Sequence, residues 1–190
     1  MFSSKKGLFG YLKKQPVRIG LLTIVLLIGC ASVFLIGFFT TGSSKNILTV
    51  IAVLGMLPVA KFIVSFIMYV KAEKYSCEKS IYDEIEAASS NRDFCRGYDF
   101  YLTSYSTNYP LASAFVHDGS VIALSTGKTD AKSCREHIEK YLSQNSIEGF
   151  KVYILDNKDK YLERIKSVDS DYQKSEIDLK AYALLKSISL

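Results

Sequence analysis

Acidic residues are missing from the head of this 190-residue chain, where no Asp or Glu occurs before Glu73. Residues 1–72 carry eight Lys or Arg and a charge of +8, whereas the other 16 bases and all 19 acids leave residues 73–190 at −3. A nucleic-acid binder carries its positive charge on the folded body, so this distribution excludes that class of partner. It is the pattern of a basic anchor joined to a mildly acidic domain.

Cysteine is scarce as well. The four cysteines, at 30, 77, 95 and 134, have no short repeated spacing, which excludes a disulfide framework and implies reduced thiols in a cytosolic domain. A glycine-rich phosphate loop is also lacking, because Ser125-Thr-Gly-Lys128 has neither the upstream glycine nor the spacing of one. No cofactor and no metal centre is expected.

Long apolar runs, by contrast, are abundant. Residues 19–39 and 47–70 are each long enough to cross the roughly 30 Å of a bilayer's hydrocarbon core, at about 1.5 Å per helical residue. Lys5, Lys6, Lys13, Lys14 and Arg18 precede the first run, Lys71 and Lys74 follow the second, and the linking residues 40–46 hold only Lys45. Because positive residues collect on the cytoplasmic side, both termini are expected inside a bacterial cell (inner) membrane. The organisation this implies is a basic cytoplasmic tail at 1–17, a transmembrane hairpin at 18–71 and a cytoplasmic domain at 73–190. A cleaved signal peptide is the alternative, and Leu27-Ile-Gly-Cys30 resembles a lipoprotein cleavage box. The apolar run continues past that cysteine, however, where a processed lipoprotein turns polar. Residues 1–15 set Phe2, Leu8, Phe9 and Leu12 among four lysines. That segment reads as a topology-setting tail or, alternatively, as a stretch lying on an anionic leaflet.

Lys61 is the costly residue of the second run, worth about 2.5–3.5 kcal/mol against insertion at that depth. No acid in either run can pair with it. It reads either as a snorkelling lysine one turn beyond Pro58 or as a site for a lipid headgroup or anion, with Thr23, Cys30 and Ser32 as polar neighbours.

Residues 76–89 have helical spacing with Ser76 as cap, and 98–106 read as a strand. Asp118-Gly119 between apolar runs 111–117 and 120–126 signals a hairpin. Residues 129–144 form a helix capped by Thr129 or Asp130. The apolar run 150–155 reads as a central strand, and Asn157 caps a helix to 168. A last helix from 171 presents Ile177, Ala181, Leu184, Leu185 and Ile188 on one face. The expected fold class is α/β, a helical hairpin followed by a small sandwich with a mixed sheet of about four strands.

This element order, together with Leu111-Ala-Ser-Ala-Phe-Val-His-Asp-Gly-Ser-Val-Ile-Ala-Leu-Ser-Thr-Gly-Lys128, resembles the core of the restriction-endonuclease-like fold and its nuclease-related membrane members. The resemblance covers about 80 residues. It implies an acid on the second strand and Glu-x-Lys on the third, but Ser113 and Ala123-Leu-Ser125 stand there, so it implies the fold without cleavage. The first 75 residues or so, through Gln15-Pro-Val-Arg18 and Leu57-Pro-Val-Ala-Lys-Phe62, also resemble small two-span membrane proteins of Gram-positive gut bacteria. No activity is attached to that family.

Two groups of side chains invite chemistry. Cys134 and His137 lie three apart on one helix, as a thiolate–imidazole pair or half a metal site, although Cys134 also falls on the apolar stripe. Tyr98, Tyr101, Tyr105 and Tyr109 lie on or beside one strand, either as a ligand- or partner-binding face or as cover for the core edge. The function expected is that of a membrane-anchored, non-catalytic binding or scaffold protein. Its partners would be the bilayer and either another protein or copies of itself. The alternatives are a membrane-tethered hydrolase or nuclease-like enzyme and a small transporter or channel subunit.

Overall fold

The computed structural model describes residues 6–90, 92–104, 107–127, 129–169 and 172–190. They form two compact units. One is Leu12–Lys74, and the other is Tyr75–Leu190 together with the segment preceding Leu12.

The first unit is a pair of helices, α1 (Tyr11–Thr41) and α2 (Ile47–Glu73), each long and apolar enough to cross a membrane. Asn46 shapes the connection, its side chain accepting from Thr49 N at 2.8 Å and donating to Ser43 O at 2.8 Å. The helices run antiparallel and approach where side chains are smallest. A Cβ on Gly20 would meet the Phe66 ring at 3.0 Å, and one on Gly55 would meet Cys30 Sγ at 2.8 Å. Such close backbone approach is how apolar helices associate when lipid offers no hydrophobic drive. Hydroxyls within the helices satisfy themselves: Thr23, Ser32 and Ser65 each donate to the carbonyl four residues back, at 2.7, 2.8 and 3.0 Å. Large apolar side chains instead face outward, among them Phe39, Ile47 and Leu57, and only 6% and 11% of the two spans is buried. A core helix of a water-soluble protein has the opposite distribution.

The second unit is a three-layer sandwich. Its elements are α3 (Lys79–Ser89), β1 (Cys95–Thr103), β2 (Asn108–His117), β3 (Ser120–Ser125), α4 (Ala131–Gln144), β4 (Lys151–Leu155), α5 (Lys158–Lys166) and α6 (Glu176–Ile188). The sheet order is β1-β2-β3-β4, antiparallel except for the parallel β3–β4 pair. On one face Cys134, Ile138 and Leu142 of α4 join Ala181 and Leu185 of α6. On the other, Ile85 of α3 joins Tyr161 and Ile165 of α5. The mixed α/β class expected from the sequence is therefore what the chain forms.

Local chemistry explains the boundaries. Asp118 and Gly119 both take positive φ (43° and 64°), the geometry of a two-residue hairpin turn. Asp130 caps α4 through Lys132 N, and Asn157 caps α5 through Asp159 N and Lys160 N. Ser175 and Asp178 form a reciprocal capping box for α6.

Three expectations need correction. The 150–155 strand is not central: β4 ends the sheet. The apolar stretch from Val152 to Leu155 arises because both faces are covered, Val152 and Ile154 packing on the α4/α6 side and Tyr153 and Leu155 on the α3/α5 side, while Lys151 is exposed. Ser76 does not cap α3, since its hydroxyl donates instead to Asp99 Oδ1 at 3.0 Å. The buried face of α6 is centred on Asp178, Ala181 and Leu185, which leaves Ile177 more than half exposed. The start expected for that helix, at 171, lies outside the described residues.

A backbone irregularity crosses the first two strands. Asp99 has φ 57° within β1, and the β2–β3 register shifts between Leu111 and Ser113. In consequence Tyr98 points to one core and Phe100 to the other, although regular alternation would put them on the same face.

Candidate functional site

The densest polar and aromatic arrangement lies on the β1 edge beside α3. Arg96 forks onto Glu86, Nε to Oε1 at 3.0 Å and an Nη to Oε2 at 2.9 Å, while the Tyr98 hydroxyl donates to Glu86 Oε1 at 2.7 Å. These donors, the Arg96 guanidinium first, hold the Glu86 carboxyl below its usual range. Tyr82 meets Tyr98 edge-on at 4.9 Å, and the Phe9 ring stacks on Tyr82 at 4.3 Å.

Phe9 arrives from the segment before α1, for which the sequence suggests a tail or a stretch lying on an anionic leaflet and which the structure groups with the α/β unit. Gly7 O accepts from Tyr98 N at 2.9 Å, and the Lys6 ammonium donates to Ser189 O. Gly7, at φ 84°, and Gly97 converge on the Tyr182 hydroxyl, where a Cβ on either would come within 2.8 Å or less. Only glycine permits this crossing. The C-terminus covers the same strand farther along, Leu190 N donating to Tyr101 O and Ser189 Oγ accepting from Tyr101 N. Edge strands invite foreign pairing, and here Gly7 and the Ser189–Leu190 pair occupy the edge. The strap's hold is modest, about 1 kcal/mol for the neutral hydrogen bond and about 0.5–1.5 kcal/mol for an aromatic pair. A glycine inside a strand is the signal that could have pointed here, but the strand expected from the sequence begins at 98 and leaves Gly97 outside it, whereas β1 begins at Cys95.

Three acids, the buried Asp99 on β1 and Asp178 on α6 and the partly exposed Glu86 on α3, are engaged in holding the fold. Asp99 accepts from Ser76 Oγ and from Cys77 N (2.7 Å), tying the entry to α3 onto the sheet. Asp178 accepts from the Tyr172 hydroxyl, Ser175 Oγ (2.7 Å), Ser175 N and Gly119 N, binding the start of α6 to the β2–β3 turn. Glu86 carries Arg96 and Tyr98, as above. Among the described residues no group of three or more His, Cys, Asp or Glu is placed to hold a metal.

The residues singled out from the sequence are dispersed. Tyr98, Tyr101 and Tyr109 are each 5% exposed. Tyr98 belongs to the α3/α5 core and Tyr109 to the α4/α6 core, while Tyr101 lies 6.0 Å from Tyr75. Tyr105 falls outside the described residues. Together the three described tyrosines make no exposed face. Cys134 is fully buried in the α4/α6 core, and burial pushes its thiol up to about 12. His137 sits between the rings of Tyr109 (5.3 Å) and Tyr141 (5.0 Å), its Nε2 without a hydrogen-bond partner among the described residues. Burial and Lys140 lower its proton affinity. Lys61 is exposed on α2, and Thr23 and Ser32, proposed as its polar neighbours, donate to their own helix. Between the two helices, Leu27, Cys30, Ala31, Phe34, Ala52, Val53 and Met56 line an open apolar cleft of about 300 Å³.

A thiol held protonated is a poor nucleophile. Cys134 in the folded protein is therefore expected to react with iodoacetamide at neutral pH at least about a hundredfold more slowly than free cysteine. Peptide mass mapping before and after urea checks this, and rapid labelling of the native protein would refute it.

No protein family, no curated protein and no solved structure matches the chain.

Proposed function

We propose that this is a membrane-anchored, non-catalytic binding or scaffold protein that presents its α/β domain at the cytoplasmic face of a bacterial cell (inner) membrane. The partner is another membrane protein or a second copy of this chain. The observation that carries the non-catalytic part is the engagement of Asp99, Asp178 and Glu86 in structural bonds, which leaves none of the three poised for acid–base work. Ser113, at the position where the restriction-endonuclease-like fold needs an acid, is fully buried. It donates to Gly97 O and accepts from the Tyr161 hydroxyl. That supports retaining the resemblance as one of fold without cleavage.

The anchor reading draws on the outward apolar surface of α1 and α2 and on the acid-free head of the chain. Contact between Gly7, before the first helix, and Tyr98, after the second, supports an even number of crossings. The basic flanks support the cytoplasm as the shared side.

Reporter fusions test the orientation. A fluorescent protein at the C-terminus should be bright and alkaline phosphatase at the same point inactive, with the protein retained in membranes after alkaline carbonate washing. The reverse pattern, or release by carbonate, would refute the proposal. Affinity purification in mild detergent tests the binding role, and a solitary monomer would count against it.

A further inference from the structure

We propose that residues 6–10 form a releasable strap, docked on the β1 edge in one state and transferred to an anionic lipid surface in the other. The inference rests on the membrane-anchored reading and adds a regulated surface to it. In the docked state the described residues hold the segment through the Gly7–Tyr98 backbone bond, Phe9 stacked on Tyr82 and edge-on to Tyr98 at 6.4 Å, and Lys6 on the Ser189 carbonyl. The docking is imperfect for a segment of this composition. Leu8 is 58% exposed, and the Lys6 ammonium is half-buried against a neutral carbonyl, with no carboxylate paired to it among the described residues. Burial there lowers its proton affinity. An anionic leaflet would accept Leu8 and Phe9 at its interface and give Lys6 an opposite charge.

The sequence places this surface within reach. Lys13, Lys14 and Arg18 follow immediately, and Lys13 and Lys14 are exposed. Gly7 and Gly10 bracket Leu8 and Phe9, both at positive φ (84° and 74°), a backbone freedom that lets the segment re-route at either end. Release would bare the Tyr98 amide on the sheet edge and the paired rings of Tyr82 and Tyr98. Those groups accept an extended peptide carrying an aromatic side chain, since that is what Gly7–Phe9 supplies.

Hydrogen exchange by mass spectrometry on the full-length protein in nanodiscs tests this. Compared with phosphatidylcholine alone, discs containing phosphatidylglycerol should raise exchange of the β1 peptide that includes Tyr98 by roughly tenfold, the scale of a surface potential acting on a few lysines. Peptides from β3 should be unchanged. The Lys13→Gln/Lys14→Gln variant, which leaves the docking contacts intact, should lose most of the lipid effect. Phe9→Ala should show fast β1 exchange in both lipids. Equal exchange of the wild type in both lipids overturns the strap while leaving the anchor standing. Failure to incorporate into discs at all overturns the anchor and the strap with it.

Discussion

Tyr161→Ala is expected to destabilise the α/β unit by about 3–5 kcal/mol, the cost of emptying a large buried ring site. Tyr161 is fully buried, packs edge-on against Phe115 at 5.4 Å, and sits where α5 closes one face of the sheet. Its hydroxyl donates to Ser113 Oγ at 2.9 Å, and that oxygen donates on to Gly97 O. Tyr161→Phe keeps the ring and removes only the first of these bonds, so it should cost about 1 kcal/mol. Urea titration of the full-length protein in detergent, followed by circular dichroism, separates the two variants. Equal losses would mean that the hydroxyl chain rather than the ring holds α5.

Asp178→Ala should cost about 3 kcal/mol near neutral pH, because it strips the acceptor from Tyr172, Ser175 and Gly119 at once. Its pH dependence is the more specific test. Burial alone pushes the Asp178 carboxyl up, but the hydrogen bonds from Tyr172, Ser175 and Gly119 outweigh it and hold the group below the usual carboxylate range. A carboxyl depressed on folding stabilises fully above its unfolded pKa of about 3.9, and that stabilisation is lost as pH falls through the folded value. The wild type should therefore lose stability more steeply than Asp178→Ala below about pH 4. The two urea midpoints should converge toward acid. Parallel curves down to about pH 2 would show that folding does not depress the Asp178 carboxyl.

Asp178 also shows where reading by periodicity goes astray. Ile177 is apolar and its spacing puts it on one face with Ala181, Leu184, Leu185 and Ile188. Yet the capping box with Ser175 sets the phase of the first turn and turns Asp178 inward, leaving Ile177 outside. One polar residue with four donors outweighed one apolar side chain; Ser175, three residues upstream, carries the spacing of a capping box, but the Tyr172 hydroxyl and Gly119 N are not identifiable from spacing. The tyrosines tell a related story. Tyr98 and Tyr109 looked like one face of a strand region, but the positive φ at Asp99 and the shift in β2 send them to opposite cores. Cys134 was legible in both of its possible roles, and burial selected the packing role.

Some features were decided locally and so could be read directly. Apolar length specified α1 and α2, the Asp118-Gly119 pair specified the hairpin, and Asn157 and Asp130 specified helix starts, because each depends on neighbours a few residues away in the chain. The α/β class followed from the order of those elements. Tertiary structure alone decided that β4 ends the sheet, that Asp99, Asp178 and Glu86 are fastening points, and that Lys6–Phe9 lies along β1. Each of those depends on groups separated by up to 183 positions meeting in space, as Lys6 and Ser189 do, and periodicity within a segment carries no information about such meetings.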